Sequence, residues 1–310
     1  MRAIFFGTPT VAAVALELLL LSPDHGVAAV VTQPDRARGR SGKLTPSPVK
    51  ERALAEHLPI LQPASPKHEG FTEQLAAYEP DVLAVVAYGH ILPHEVLAVA
   101  PAVNAHFSLL PKYRGAAPVQ RAIQAGEKAT GVTTFLLEPS VDSGPMLLQE
   151  RVAIGEEETA GELLERLAPI GARLLVASLD ALTRGSTGGE PQDPSGATPA
   201  PKIKPEEARI DWRRPAQHIA NTIRAFNPAP GAFTTWSEGR LKIWRARVTP
   251  EGSGAPGSVT ASDVPIVACG GQSLALLEVQ AEGSRTMSGE EFLRGHKAFA
   301  TALLESGEQA

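Results

Sequence analysis

The first 32 residues switch between two hydrophobic periods, and that switching leaves few folds open. Arg2 to Phe6 (RAIFF) is a short apolar run of strand composition, and Gly7 to Pro9 (GTP) is a turn. Val11 to Leu21 is apolar over the length of a helix and is opened by Thr8 and Pro9. Val27 to Thr32 is a second β-rich run. Strand, helix, strand at this spacing predicts a parallel sheet with right-handed crossovers. The rhythm continues through a helix at Lys50 to His57, a short strand at Ile60 to Gln62 and an amphipathic helix at Lys67 to Tyr78. Val82 to Val86 is then wholly apolar, as a strand at the centre of a parallel sheet should be. A dinucleotide site is not expected. GTPTVA carries one glycine where the fingerprint needs three, so neither NAD nor FAD fits.

Ligands of open α/β sheets bind beyond the C-terminal ends of the strands. Two such ends carry polar chemistry. The first is AYGHILP, directly after Val86; the second begins in the next predicted strand, Val103 to Phe107. Asn104 and His106 are two apart there, so on a strand both side chains leave the same face. An amide beside an imidazole suits acyl transfer, because the amide donates to a developing oxyanion while the imidazole handles a proton. The plainer reading is a turn-forming Asn and a satisfied strand-end His. The loop after it, SLLPKYRGAAP, is broken by Pro and Gly and carries a Tyr-Arg pair, which is unlike core sequence. After Pro118 come a helix (VQRAIQAG) and two strands, Val132 to Leu137 and Met146 to Val152, flanking the loop EPSVDSGPM. Asp142 in that loop reads, by itself, as an ordinary turn former.

The stretch NAHFSLLPKYRGAAPVQRAIQAGEKATGVTTFLLEPSVDSGPML resembles the signature of the folate-dependent formyltransferases, and the likeness runs over nearly the whole chain. It implies that Asn104, His106 and Asp142 surround the formyl carbon of 10-formyltetrahydrofolate, with Asp142 holding the His106 ring in orientation. It also implies that Tyr88, Ile91 and Leu92 wall the pterin pocket together with Ser108, Leu109, Leu110 and Pro111. Without the resemblance, Ile91 and Leu92 read equally well as hydrophobic residues capping a helix. The chain departs from the family at Phe107, usually a small residue, and at His90, usually apolar.

Gln33 to Lys50 (QPDRARGRSGKLTPSPVK) is too long and too rich in Gly, Pro and Ser for a tight connection. Arg36, Arg38, Arg40, Lys43 and Lys50 stand there against Asp35 alone. A solvated basic loop is the commoner meaning of such a run; an arm that reaches nucleic-acid phosphates is the functional one. The pattern resembles the loop of those family members that formylate methionyl-initiator tRNA for translation initiation. That implies tRNA contact by these residues, with Arg40 foremost. Lys202 and Lys204 fall in the matching linker end, where two exposed lysines explain the sequence as well. The alternative substrate is a nucleotide sugar or another small amine.

Glu162 to Leu182 reads as a long helix closing a Rossmann-like formyltransferase domain over residues 1–182. Residues 183–205 begin with a run of Gly, Pro, Ser and Thr that offers little surface to bury and reads as a linker. From 206 to 310, a helix at Ala216 to Ala225 precedes five short β runs: Ala232 to Trp236, Leu241 to Val248, Ser258 to Ala261, Ile266 to Ala268 and Leu274 to Val279. That spacing predicts a small OB-like barrel. Trp212, Trp236 and Trp244 are expected as core fillers.

Composition sets outer bounds. One cysteine, Cys269, excludes an internal disulfide framework, and the histidines lack metal-ligand spacing, so no metal is expected. The apolar stretch behind Arg2 is interrupted by GTP and Glu17, which fits strand, turn and helix rather than a signal peptide, and no stretch reaches membrane-span length. A cytoplasmic protein follows, and the family resemblance implies a monomer. The net charge of −5 averages over faces and decides nothing about a basic binding surface.

Overall fold

A computed structural model of the chain describes residues 1–38 and 42–307. The chain forms two compact units. The first comprises residues 1–118, 129–153 and 164–201; the second comprises 119–128, 154–163 and the described chain from Lys202 onward.

The first stretch of chain holds β1 (Arg2–Gly7), α1 (Thr10–Leu20), β2 (Gly26–Val31), β3 (Arg36–Arg38), β4 (Lys43–Thr45), α2 (Pro48–Ala55) and β5 (Ile60–Leu61). Then come α3 (Phe71–Ala76), β6 (Val82–Val86), α4 (His94–Leu97), β7 (Ala102–His106), α5 (Pro118–Gln124), β8 (Ala129–Leu136), β9 (Met146–Ala153) and α6 (Ala160–Thr183). Seven strands make one sheet in the order β5-β2-β1-β6-β7-β8-β9. The pairs from β5 to β7 are parallel, as the β/α rhythm predicts, whereas β7–β8 and β8–β9 are antiparallel. β7 is therefore the strand at which the sheet changes sense. β6 is buried along its whole length, and Ile4, Phe6, Val31, Leu83, Val85 and Tyr88 form a core with Phe71 and Leu75 of α3.

Two local departures from the sequence reading have clear causes. The helix predicted from Lys67 starts only at Phe71, because Gly70 sits in the left-handed region at φ 77° and ends any earlier turn. The helix predicted from Lys50 starts two residues sooner, at Pro48, because Ser47 caps it. The Ser47 hydroxyl accepts from the Lys50 N–H at 3.0 Å and pairs with the buried Thr32 hydroxyl at 2.7 Å.

The second unit carries α7 (Ala216–Ala225), β10 (Phe233–Trp236), β11 (Gly239–Thr249), β12 (Val259–Ala261), β13 (Pro265–Ala268), β14 (Ser273–Ala281), β15 (Met287–Ser288) and α8 (Gly289–Gly295). Its antiparallel sheet runs β10-β11-β14-β13-β12, with β15 added to β14. The C-terminal segment joins the two edges. Leu303 bridges Ser258, next to β12, and Glu305 bridges Thr235 of β10. The five predicted β runs are thus strands of an OB-like curled sheet. Trp212 and Trp236 are core fillers, with the Trp212 indole donating to Thr234 at 3.1 Å. Ile219 and Ile223 of α7 complete this core against Leu241, Leu274 and Leu276.

All three tryptophans lie in the second unit, so their emission reports its unfolding. Leu276 is fully buried, and Leu276→Ala should destabilise that transition by about 2–5 kcal/mol, read as a lower urea midpoint at unchanged slope. The Cys269 thiol is buried and its pKa is pushed up to about 12 by desolvation. Iodoacetamide at pH 8 should label it only as fast as the unit opens.

Candidate active site

A cavity of about 450 Å³ lies in the first unit at the C-terminal ends of β6 and β7. Asn104 and His106 both line it, as their shared strand face requires, and Asp142 lines it from the loop between β8 and β9. The register pairs Asn104 with Val85 on one side and Phe135 on the other, and His106 with Thr133 on the antiparallel side, so ladder pairing fixes where both side chains leave β7.

His106 is oriented from both ring nitrogens. Nε2 lies 2.8 Å from the Tyr113 carbonyl, which can only accept, so Nε2 carries a proton. Nδ1 faces Asp142 Oδ2 at 3.6 Å. The ring edge packs on Phe135 with centroids 6.4 Å apart. In the neutral ring Nδ1 is therefore the unprotonated nitrogen, and the only one free to take or return a proton.

Asp142 adopts φ 48°, a left-handed conformation that Asp tolerates better than most side chains. Its Oδ2 accepts from the Gly115 N–H at 2.7 Å. Two glycines make this geometry possible. A Cβ on Gly144 would come within 1.8 Å of the Leu136 carbonyl oxygen, and one on Gly115, which sits at φ 127°, within 2.6 Å of the Ala200 carbonyl oxygen. The backbone passes too closely for any side chain at either place.

Of the residues expected to wall a ring pocket, Tyr88, Ile91 and Leu92 line the cavity. Ser108, Leu109, Leu110 and Pro111 do not. They form the turn behind the strand, where Ser108 is fully buried and its hydroxyl donates to the Lys112 carbonyl at 2.7 Å. The Leu110 N–H is held by Thr133, whose hydroxyl donates to the Ser108 carbonyl, and Gln149 donates to the Leu110 carbonyl. This turn leads into Tyr113, whose carbonyl orients His106. His90, singled out as a departure from the family, is on the cavity wall; the sequence reading missed Val141, next to Asp142 on the same wall. Phe107 is accommodated by α6, where Gly171 leaves room for its ring: a Cβ there would lie 3.1 Å from it. The Tyr88 hydroxyl is buried without a hydrogen-bond partner among the described residues, and burial pushes its pKa up to about 12. The Tyr88 carbonyl accepts from Thr8 at 3.1 Å and from Gln33 at 2.8 Å, which ties the AYG turn to the root of the basic segment.

That segment is a hairpin, not an irregular loop. β3 pairs antiparallel with β4, with Arg36 opposite Thr45 and Arg38 opposite Lys43. Arg40 lies outside the described residues. Lys50 is spent within the fold: its ammonium binds both oxygens of Asp35 at 2.9 and 2.7 Å. With Gln62 also donating, Lys50 holds the Asp35 carboxyl below its usual range. Lys202 and Lys204 are exposed in the second unit. There the Lys204 N–H donates to Glu207, while the Lys202 carbonyl accepts from Arg121. The Gly- and Pro-rich run after α6 packs on the first unit instead of hanging free. Main-chain pairing compensates for its lack of apolar surface: Glu190 bridges Met146, and Pro199 bridges Arg114.

A sequence profile described as formyl transferase matches residues 1–179, and one described as formyl transferase, C-terminal domain, matches 202–297. The chain belongs to the formyl transferase family. It is 47% identical over 300 residues to a Methylococcus capsulatus protein named methionyl-tRNA formyltransferase, covering 96% of this chain and 97% of that one. A Symbiobacterium thermophilum protein of the same name is 45% identical, covering 95% and 92%. Among solved structures, the fold is shared with an N-formyltransferase from Helicobacter canadensis in complex with folinic acid and dTDP-3-aminofucose. That match has a TM-score of 0.63 at 20% identity, over 89% of this chain and 98% of the other. HypX from Aquifex aeolicus, in complex with tetrahydrofolic acid, matches at TM-score 0.64 and 17% identity, over 94% of this chain and 47% of that one.

Within this formyl transferase, Gly115→Ala should shift the backbone that holds Asp142. The positive φ and the contact with Ala200 together should cost about 2 kcal/mol or more in thermal unfolding.

Proposed function

We propose that this chain transfers the formyl group of 10-formyltetrahydrofolate to the amino group of methionyl-initiator tRNA, for translation initiation in the cytoplasm. The observation that carries the reading is the reach of the likeness: 47% identity along nearly the full length of a protein named for that reaction. Two features of the site support it. The cavity has the volume of a small-ligand pocket, and it gathers an amide, an imidazole and a carboxylate at one strand end.

The amine attacks the formyl carbon, and the carbonyl oxygen becomes an oxyanion. The Asn104 amide donates to it, which lowers the barrier by roughly 3 kcal/mol. The amine must then lose a proton and the departing folate nitrogen must gain one. His106 Nδ1 is the nitrogen available for that relay, since Nε2–H is committed to the Tyr113 carbonyl. Asp142, 3.6 Å from Nδ1, keeps the ring and the incoming amine in line. Tyr88, Ile91 and Leu92 flank the pterin ring. On the tRNA side, the basic segment of the sequence from Arg36 through Arg38 and Arg40 to Lys43 meets the phosphates of the acceptor end.

The test is formyl transfer from 10-formyltetrahydrofolate to methionyl-initiator tRNA by the wild type, Asp142→Asn and Arg40→Ala. Asp142→Asn should lose roughly a hundredfold or more in kcat while keeping its melting temperature. Arg40→Ala should weaken tRNA use at fixed salt and lower the slope of log affinity against log salt by about one. Transfer to a sugar amine in place of the tRNA would overturn the proposed substrate, and an undiminished Asp142→Asn would remove Asp142 from the chemistry.

A further inference from the structure

We propose that Gln192, in the Gly- and Pro-rich run after α6, is a positioning residue for the reaction, acting through Asp142. This rests on the reading above that Asp142 belongs to the reacting centre. Gln192 is 8% exposed, and all of its hydrogen-bonding capacity is used. Nε2 donates to the Asp142 carbonyl at 2.9 Å and to the Gly144 carbonyl at 2.8 Å. Oε1 accepts twice from Arg114, from Nε at 3.1 Å and from Nη2 at 2.7 Å. Carbonyls only accept and a guanidinium only donates, so the amide has one possible orientation.

The two loops that this amide joins are the ones that set the carboxylate. Asp142 is held in its left-handed backbone by its own carbonyl, bound to Gln192, and its Oδ2 is held by the Gly115 N–H, one residue past Arg114. The flanks of the run fix the amide in place. Glu190 exchanges both main-chain bonds with Met146 at 2.8 and 2.7 Å, and the Ala200 N–H donates to the Arg114 carbonyl at 2.6 Å. Gln192 therefore links the main chain of Asp142 and Gly144 to the Arg114 side chain, one residue before the Gly115 N–H that holds the Asp142 carboxylate. Removing it frees the carboxylate to drift from His106 Nδ1 while leaving the cavity walls intact. Reaction rates fall steeply with sub-ångström misplacement, so the loss should appear in kcat.

Gln192→Glu keeps the acceptor for Arg114 and turns the two donations into repulsions, at nearly unchanged volume. Gln192→Met, also of similar size, is the second variant and removes both roles. Both should still fold, with melting temperatures lowered by the unpaired Asp142 and Gly144 carbonyls, bind tetrahydrofolate within about twofold, and lose roughly ten- to a hundredfold in kcat. Combined with Asp142→Asn, Gln192→Glu should cost nothing further, because the two act on one group. Wild-type kcat in both Gln192 variants, or a loss that adds fully to that of Asp142→Asn, overturns the positioning role. So does failure of both to fold, or an equal loss of folate affinity and stability, since Gln192 would then be merely structural. An Asp142→Asn enzyme at full rate, by contrast, brings down the reading of the site itself.

Discussion

The first unit depends on the change of strand sense at β7. A strand bonded in parallel on one side and antiparallel on the other has its ladder satisfied along both edges, and it can neither slip nor twist without breaking both. Asn104 inherits that rigidity from both sides, and His106 from its antiparallel pairing with Thr133 and its ring bond to the Tyr113 carbonyl. The parallel partner β6 ends at the same end of the sheet, so its AYG turn meets the cavity that Asn104 and His106 line, and the antiparallel partner β8 leads directly into the Asp142 loop. Three segments distant in sequence converge because one strand has two kinds of neighbour.

That convergence explains what was legible beforehand. Val82 to Val86 and Asn104-x-His106 were readable because period and composition act locally: an apolar pentapeptide has one place in a parallel sheet, and a two-residue spacing has one geometry. The five short β runs of the second unit were legible for the same reason. Ser108 to Pro111 were expected on the cavity wall from their place in the chain, and the structure puts them in the turn behind the strand. Their backbone groups bond to Thr133 and Gln149, so the segment turns inward. Lys50 was read as a charge without a partner; Asp35 and Lys50 are fifteen residues apart in sequence and in direct contact in the fold. Nothing in the local sequence announces that pair.

The residues after α6 illustrate the opposite failure. Composition marks them as a linker, since Gly, Pro, Ser and Thr bury little apolar surface. The segment is ordered by a different currency, main-chain hydrogen bonds to loops that would otherwise leave their own carbonyls and N–H groups unpaired. Gly115 and Gly144 are the complement of that arrangement on the other side. They have no side chain because the crossing backbones occupy the space a Cβ would need.

A site assembled this way divides its tasks between sheet and loops. The sheet supplies the two groups whose positions must not change, the amide and the imidazole. The carboxylate sits on a loop in a left-handed conformation, with His106 Nδ1 at 3.6 Å, just outside ordinary hydrogen-bonding distance. A carboxylate bonded tightly to that nitrogen would compete with an incoming amine for it. One that wandered would lose its hold on the ring. Holding Asp142 by its Oδ2 and by its backbone carbonyl satisfies both demands, because neither restraint uses the imidazole. The free face of Nδ1 is then left open to the cavity, where the proposed reaction would need it.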